Sequence, residues 1–304
     1  MDSTEIQPAT ESPIKPRKRW YQRVRRTVVI FVLIPYLGLT MIFVSLQRKM
    51  MYLPTTSESL RAIDLGLDPE LVNDVQIQTP DGNTLNGWLM KHPGRDRELK
   101  NPLVIYFPGN ASNRHGRIND LREVVASGFD VLIFDYRGYG DSSGSPSEQK
   151  MSSDARLILE FACNELNCSE NQIVVFGESL GGAVALSLWS GETANRPRPA
   201  GLVLNSTFTS MSATVAWHYP AFPFRYLLLD RWPSIDRIPA VKAPVLVFHG
   251  TADETVPVAH GRELSAAAVD ARFFEIPGAG HNNIPMHRLG TELKKLRVLI
   301  SEKE

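Results

Sequence analysis

Six continuous apolar runs between residues 103 and 276 constrain the fold of this chain more than any other feature. They occupy residues 103–107, 131–134, 173–176, 202–204, 245–248 and 273–276. None of them alternates apolar with polar residues, which is typical of strands buried on both faces of a parallel sheet. The segments between and after them (about 113–127, 151–166, 180–190, 258–268 and 286–302) are long enough for helices that cross from strand to strand. We therefore predict an α/β fold.

The start of the sheet has a different pattern. Residues 75–79 and 84–91 flank the turn Pro-Asp-Gly-Asn at 80–83, a signal for a hairpin of two antiparallel strands. Adding this hairpin to the six runs gives a mostly parallel, eight-stranded sheet flanked by helices.

The connection at about 207–240 is unusually long and rich in aromatic residues. Long apolar connections in compact domains more often carry function than disorder, so we expect a small lid over a pocket. Its candidate pocket residues are Trp217, His218, Tyr219 and Phe222. The alternative is a pair of surface helices that completes the core.

Residues 27–46 contain no charged side chain. A helix of this length spans roughly 30 Å, the thickness of a bilayer core, and Pro35 is tolerated in such helices. A cleaved signal peptide would need a shorter apolar core and a small-residue cleavage site, and a buried core helix would not require a basic tail. We therefore expect a disordered basic tail (1–26), a transmembrane anchor (27–46) and one body (47–304).

Charge predicts the orientation of the anchor. Seven basic residues precede it and only Arg48 and Lys49 follow closely, so the N-terminus is expected in the cytoplasm and the body on the extracytoplasmic side of the membrane. The bilayer is thus an expected partner. Residues 47–304 hold 26 basic and 30 acidic side chains, which argues against a nucleic-acid partner.

The two cysteines, Cys163 and Cys168, are too few for a disulfide framework or a cysteine-rich zinc site. Packing thiols are favoured for both, because helical positions five apart point away from each other. Pairing between them stays open if the body is translocated across the membrane. No group of His, Asp and Glu has the spacing of metal ligands, and no dinucleotide fingerprint occurs. We expect no metal and no cofactor.

The motif Gly-Glu-Ser-Leu-Gly at 177–181 carries the strongest chemical signal. It follows one apolar run and opens the apolar stretch 183–189, so Gly-x-Ser-x-Gly stands in a strand–turn–helix context. Such a turn strains the serine backbone, and a β-carbon two residues to either side would collide with a neighbouring element. We predict that Ser179 is a catalytic nucleophile; a chance match with ordinary close packing is the alternative.

A serine nucleophile needs a base, and the base needs an orienting acid. Asp253 follows the strand at 245–248, and His281 follows the strand at 273–276 in a Gly-rich loop. The ends of parallel strands meet at one edge of the sheet, so these two side chains are predicted to join Ser179 there. Glu254 is the local rival of Asp253. Of the seven histidines only His281 has the required position.

Acyl transfer also needs donors for the developing oxyanion. The backbone N–H of Leu180, directly after the nucleophile, is one candidate. The second is the N–H of Asn110 in the loop after the strand at 103–107; a plain Gly-Asn turn is the alternative. Arg137 and Asp141 are expected to brace the neighbouring loops rather than touch substrate.

These motifs resemble the α/β-hydrolase superfamily, through Gly177–Gly181, the Gly-x-x-Asp-x-x-Val-Pro stretch at 250–257, and Gly280-His281. More narrowly, the chain resembles the membrane-anchored, single-pass Bem46-like α/β-hydrolase-domain proteins. The residues behind this second resemblance are Gln47-Arg48-Lys49 with Tyr52 and Pro54, the stretch 135–142, and the stretch 205–210. The resemblance covers residues 47–300. One departure is Pro108, where the family usually has His before Gly-Asn.

The resemblance implies serine hydrolysis of lipid esters, protein thioesters or, in related branches, peptides. Our expectation is a serine hydrolase of the carboxylic ester type that cleaves an ester or thioester of an acyl or lipid-like substrate through an acyl-enzyme. The substrate could be a small molecule, a lipid or an acylated protein. The alternatives are an exopeptidase or amidase on the same fold and a catalytically idle binding protein.

Overall fold

A computed structural model describes residues 18–93, 101–190 and 199–302 of the chain. The chain divides into two units, Met1–Ser45 and Leu46–Glu304. The second unit contains all of the strands described below.

The N-terminal unit is helical over its described residues. Helix α1 (Lys18–Val28) continues through a π-helical turn (Val29–Leu33) into α2 (Ile34–Met51). The wide turn fits Pro35, which has no N–H to donate to the carbonyl group four residues earlier. The helical stretch Trp20–Met51 is long and apolar enough to cross a membrane.

The predicted disordered tail differs from the structure where the two can be compared. Residues 1–17 lie outside the described residues, but the chain is helical from Lys18 onward. The segment from Lys18 to Arg26 is rich in Lys, Arg and Gln, which favour helix, and it extends a helix whose nucleation the apolar stretch already provides. The helix therefore begins about nine residues before the uncharged span.

Within the described residues, the main sheet has eight strands. Their bounds are β2 (Val72–Gln78), β3 (Thr84–Met90), β4 (Leu103–Phe107), β6 (Asp130–Phe134), β7 (Ile173–Glu178), β8 (Gly201–Asn205), β9 (Val245–Gly250) and β10 (Ala271–Ile276). Their spatial order is β10-β9-β8-β7-β4-β6-β3-β2. The pairs β2–β3 and β3–β6 are antiparallel and the other five are parallel. The predicted mostly parallel, eight-stranded sheet is confirmed.

Five strands of the sheet (β4, β6, β7, β8 and β9) are buried at every residue. Helices cover both faces of these strands, which explains the continuous apolar run inside each of them. The covering helices are α3 (Ile118–Ala126), α4 (Glu148–Asn164), α5 (Leu180–Leu186), α8 (Val258–Ala267) and α9 (Met286–Ser301). They lie in the five segments predicted from the sequence.

A second, two-stranded sheet was not predicted. Strand β1 (Leu53–Pro54), directly after α2, pairs in parallel with β5 (Ala111–Ser112). Two-residue strands are too short for a periodic pattern, so local sequence carries no signal for them. The pairing places the start of the second unit beside the loop that follows β4.

The predicted lid, residues 207–240, contains the short helices α6 (Met211–His218) and α7 (Ser234–Arg237) joined by turns. Ser210 begins α6 as its N-cap, because its hydroxyl accepts the N–H of Ala213 at 3.0 Å. The segment thus has helical structure of its own, and its action as a lid stays a prediction.

The two cysteines lie in α4 and just beyond it. Cys163 is half-buried and Cys168 is buried.

Candidate active site

Ser179 occupies the sharp turn between β7 and α5. Its φ is 51° and its ψ is −114°, a conformation that L-residues rarely adopt, and its N–H donates to the Asn205 carbonyl at 2.8 Å. Steric contacts explain why glycine stands two residues to either side of the serine. A β-carbon at Gly181 would overlap the carbonyl oxygen of Phe107, and one at Gly177 would overlap the backbone where α5 begins. The turn therefore requires glycine on both sides of the serine.

The predicted base, His281, reaches this serine from the loop after β10. Its Nε2 atom lies 2.9 Å from Ser179 Oγ. Two hydrogen bonds order the loop: the N–H of Gly280 donates to Asn283 Oδ1 at 2.5 Å, and the N–H of Ala252 donates to the Ala279 carbonyl at 2.9 Å. The second bond ties the loop after β10 to the loop after β9.

The predicted acid, Asp253, lies in the loop after β9, and its two carboxylate oxygens have different partners. Oδ2 is 2.8 Å from His281 Nδ1, whereas Oδ1 accepts the N–H groups of Thr255 at 2.9 Å and Val256 at 2.7 Å. Burial favours a higher pKa for Asp253, but the hydrogen bonds outweigh it and hold the pKa below its usual range. The carboxylate is therefore ionised and fixed in direction.

A second histidine also contacts this carboxylate. His249, the fifth residue of β9, is completely buried, and its Nε2 atom is 2.7 Å from the Val256 carbonyl and 3.3 Å from Asp253 Oδ2. The sequence predicted no role for His249 in the site. The available signal was its position, four residues before the predicted acid at the carboxyl end of the same strand.

The two predicted oxyanion donors lie in adjoining segments. Leu180 is the first residue of α5, and Asn110 lies between β4 and β5. Within the described part of the chain, neither backbone N–H donates a hydrogen bond. Their role as donors to an oxyanion stays a prediction. In this fold the close packing of α5 against the end of β4 keeps the two segments together.

Contacts on the rest of Asn110 were not anticipated from the sequence. Its side-chain Nδ2 donates to the Met51 carbonyl at 3.0 Å, and its own carbonyl accepts the Leu53 N–H at 2.9 Å and the Tyr139 hydroxyl at 2.8 Å. The residue that carries the candidate donor is thus anchored to the end of α2 and the start of β1.

Arg137 and Asp141 make ion pairs away from Ser179. Arg137 binds Asp154 at 2.6 Å and Asp81 at 2.7 Å. Asp141 binds Arg114 at 2.5 Å. Both contacts join the loop after β6 to neighbouring segments, which is the bracing expected of these residues.

The four predicted pocket residues cluster at the end of α6. The Nε2 atom of His218 lies 2.9 Å from the carbonyl of Thr255, in the loop that carries Asp253. Trp217 packs edge-to-face on His218, while Tyr219 and Phe222 both pack on the ring of Phe224. The cluster is therefore close to the loop that carries Asp253, and contact with a substrate stays a prediction.

Among the residues that the structure describes, no group of three His, Cys, Asp or Glu could hold a metal ion.

Comparisons with known proteins agree with this architecture. The Hydrolase_4 family, described as serine aminopeptidase S33, matches residues 101–235. An esterase of Pyrococcus furiosus has a solved structure with a TM-score of 0.60 and 19% identity, covering 81% of this chain and 96% of that one. At that identity the likeness shows the fold alone.

Three relatives extend the match over most of the chain. An uncharacterized protein of Mycobacterium tuberculosis is 40% identical over 257 residues, covering 84% of this chain and 88% of the relative. Lysophosphatidylserine lipase ABHD12 of Danio rerio is 28% identical, with coverages of 82% and 74%. The protein bem46 of Schizosaccharomyces pombe is 34% identical, with coverages of 69% and 70%. The chain therefore belongs to the α/β-hydrolase superfamily, among its Bem46-like hydrolases.

Proposed function

We propose that this chain is a serine hydrolase that cleaves a carboxylic ester or thioester of an acyl or lipid-like substrate. In this proposal Ser179 is the nucleophile, His281 the general base and Asp253 the residue that orients the base. The observation that carries it is the contact of 2.9 Å between Ser179 Oγ and His281 Nε2. A serine hydroxyl becomes an effective nucleophile only with a base within this range.

The first step forms the acyl-enzyme. Ser179 Oγ attacks the carbonyl carbon while His281 Nε2 accepts the hydroxyl proton, and the carbonyl electron pair moves onto oxygen. The N–H groups of Leu180 and Asn110 would stabilise that oxyanion. When the tetrahedral species collapses, the bond to the leaving oxygen or sulfur breaks, and His281 returns the proton to it. The ionised Asp253 stabilises the imidazolium that forms in between.

The second step releases the acyl group. Water attacks the acyl carbon as His281 Nε2 accepts one of its protons, and a second oxyanion forms in the same place. Collapse breaks the bond between that carbon and Ser179 Oγ, and the proton on His281 returns to the serine. The products are a carboxylic acid and the regenerated enzyme, so the reaction balances without any cofactor.

An acyl-chain substrate is supported by the cluster of Trp217, Tyr219 and Phe222 beside the loop of Asp253. Apolar and aromatic side chains with few polar groups are what a hydrocarbon chain requires of its site. The relative named lysophosphatidylserine lipase and the solved esterase, which act on esters by their names, point in the same direction.

An exopeptidase or amidase is the second candidate, because the matching family is described as a serine aminopeptidase. Such an enzyme needs an anionic group for the substrate amine. Of the two acidic residues in the predicted lid, Asp230 is already bound by Arg48 at 2.8 Å and by the Tyr52 hydroxyl at 3.0 Å. Asp236, on α7, is exposed. We therefore rank ester hydrolysis first. A catalytically idle binding protein ranks third, since binding alone would not need Ser179, His281 and Asp253 within hydrogen-bond distance of one another.

For the location we propose that residues 27–46 cross a bilayer once, with the N-terminus cytoplasmic and residues 47–304 on the other side. The apolar helix and the seven basic residues that precede its uncharged span support this. In sealed cells, protease added from outside the cytoplasm should digest the body and leave the tail. Digestion of the tail alone would show the opposite orientation, with the body in the cytoplasm.

The chemical proposal is tested with three substrates that share one long acyl chain: an oxygen ester, a thioester and an amide. The full chain in detergent should hydrolyse the first two much faster than the third, and Ser179→Ala should abolish all turnover. Ser206→Ala is the matched control, because Ser206 also has a φ of 51° but its Oγ is near Asn205, at 3.5 Å. Preferential amide cleavage would favour the peptidase. Equal turnover by the Ser179→Ala variant would contradict the proposal.

A further inference from the structure

The side chain of Gln47 holds a short segment of the predicted lid. Its Oε1 accepts the N–H of Leu229 at 2.7 Å, and its Nε2 donates to the carbonyl of Leu227 at 3.3 Å. Gln47 is only 3% exposed. An amide that is buried and bonded at both ends to another segment's backbone fixes that segment in place.

The same turn of the chain holds the segment at a second point. Arg48 binds the carboxylate of Asp230 with two hydrogen bonds, at 2.8 and 3.0 Å. Tyr52 donates its hydroxyl to the same carboxylate at 3.0 Å and accepts the indole N–H of Trp232 at 3.2 Å. Polar contacts therefore hold residues 227–232 against residues 47–52 at several points, and we call this set of contacts the clamp.

The clamp leaves apolar side chains facing outward. Leu228 is buried, whereas its neighbours Tyr226, Leu227 and Leu229 are exposed, Leu229 to 64%. We call these three side chains the apolar tip. Met50, in the last turn of α2, is exposed as well. Exposed leucines in sequence next to a tyrosine are uncommon on a surface that meets only water, and adjoining apolar residues of this kind mark interaction sites.

Chain connectivity relates the apolar tip to the bilayer. Gln47 is the first residue after the uncharged span 27–46, so in a membrane-spanning helix it lies about 1.5 Å beyond the hydrocarbon boundary. The headgroup layer adds roughly 5–8 Å on each side of that boundary. The backbone groups of Leu227 and Leu229 are hydrogen-bonded to the Gln47 side chain, so the chain holds both residues close to this boundary.

The residues around the apolar tip have the composition of an interfacial surface. Lys49 is exposed in the same helical turn, and the Arg225 guanidinium lies 4.6 Å from the centre of the Tyr226 ring. Basic side chains attract anionic headgroups, while tyrosine and leucine enter the boundary between headgroups and acyl chains. Charge and apolar surface thus fit one partner, a lipid surface.

We propose that the apolar tip docks into the interfacial layer of the membrane that residues 27–46 cross. The same helix also contacts the loop of a predicted oxyanion donor, since the Met51 carbonyl accepts the side-chain N–H of Asn110 at 3.0 Å. The substrate then enters from the lipid phase and is a membrane-resident ester with an acyl chain. This last statement rests on the proposed function, whereas the docking of the apolar tip does not.

Docking is tested on the full chain in nanodiscs of phosphatidylcholine and phosphatidylglycerol. Leu229→Cys, in a background of Cys163→Ser and Cys168→Ser, carries an environment-sensitive fluorophore. Val269→Cys in the same background is the matched control, because Val269 is 68% exposed and lies between α8 and β10, at the amino end of β10. Doxyl-labelled lipids should quench the probe at 229 at least threefold more than the probe at 269. Equal quenching would overturn the docking.

A second arm separates docking from catalysis. Leu227→Ser combined with Leu229→Ser changes two exposed side chains and leaves the backbone contacts to Gln47 available. Turnover of a long-chain ester embedded in vesicles should fall about fivefold or more, while turnover of a short, water-soluble ester stays within twofold. Loss of both activities to the same degree would overturn entry from the lipid phase. Quenching of the probe at 229, together with a wild-type chain that cleaves no ester, would contradict the proposed function and leave the docking intact.

Discussion

The imidazole of His281 is bonded to Asp253, with 2.8 Å between Nδ1 and Oδ2, although the two residues come from loops after different strands. The carboxylate cannot rotate freely, because its other oxygen accepts two backbone N–H groups. The geometry of the acid thus sets the direction of the base, and this dependence is open to experiment.

Replacing Asp253 with Asn should lower kcat/KM for an acyl ester roughly 10⁴-fold, because an amide can hold the ring in the wrong tautomer. The control is Glu254→Gln, since Glu254 is the exposed neighbour and rival. It should stay within about twofold of the wild type. Steady-state kinetics of the full chain in detergent measure both. A small effect at 253 together with a large one at 254 would reassign the acid.

Replacing Gly181 with Ala should destabilise the fold by about 3 kcal/mol or more, because the added methyl group meets the backbone of Phe107, which cannot move aside. Gly280→Ala is the matched control beside His281. A β-carbon there would have its nearest neighbours at 3.6 Å, an ordinary contact. Thermal unfolding followed by circular dichroism compares the two. Similar melting temperatures would show that the turn after β7 is less tightly packed than described.

Removing Arg48 should destabilise the body by about 1–2 kcal/mol. The side chain of Asp230 is 4% exposed and would lose its cationic partner, but Arg48 itself is 48% exposed, so water screens part of the pair. Arg48→Lys should lose less, since it keeps the charge but not the two-pronged bond. Adding Asp230→Asn to Arg48→Ala should recover part of the loss. The exposed Arg61, changed to Ala, serves as control; an equal loss there would contradict the clamp.

His260 should make the stability of the body depend on pH. Burial lowers the pKa of His260 below its ordinary value of 6.5, and its Nδ1 accepts the N–H of Thr209 at 3.2 Å. The unfolded chain therefore binds more protons between the folded pKa and 6.5, and the free energy of unfolding decreases as pH falls below 6.5. Above that pH the contribution is complete.

The measurement is the melting temperature at pH 7.5 and at pH 5.5. His260→Asn keeps an acceptor near Thr209 without a group that protonates in this range, so the difference between the two pH values should shrink. His287→Asn, at an exposed position on α9, should leave the difference as in the wild type. If the difference in melting temperature between the two pH values stays unchanged in the His260 variant, another group causes the loss of stability at low pH.

Much of the fold is predictable because burial on both faces marks each strand locally. The strand at 173–176 and the glycines around Ser179 are recognisable within ten residues. From the parallel order of the strands it also follows that Asp253 and His281 end at the same edge as Ser179. The prediction reaches positions, whereas distances such as the 2.9 Å contact come only from the folded chain.

The contacts that escaped prediction join residues far apart in sequence. The bond between Arg48 and Asp230 spans 182 residues, and neither residue has a local pattern that points to the other. The pairing of Leu53 with Ala111 involves strands of two residues. His249 reaches Asp253 only because the loop after β9 folds back over its strand end. Local periodicity contains no information on such closures.

Labelling with a fluorophosphonate probe tests the central claim most directly, because the probe reacts with a serine only when a base has activated it. The full chain in detergent should be labelled at Ser179, as located by peptide mass spectrometry. Ser179→Ala and His281→Ala should both abolish labelling, and Ser206→Ala should leave it intact. A folded wild-type chain that stays unlabelled, or label that persists in Ser179→Ala, would contradict the account.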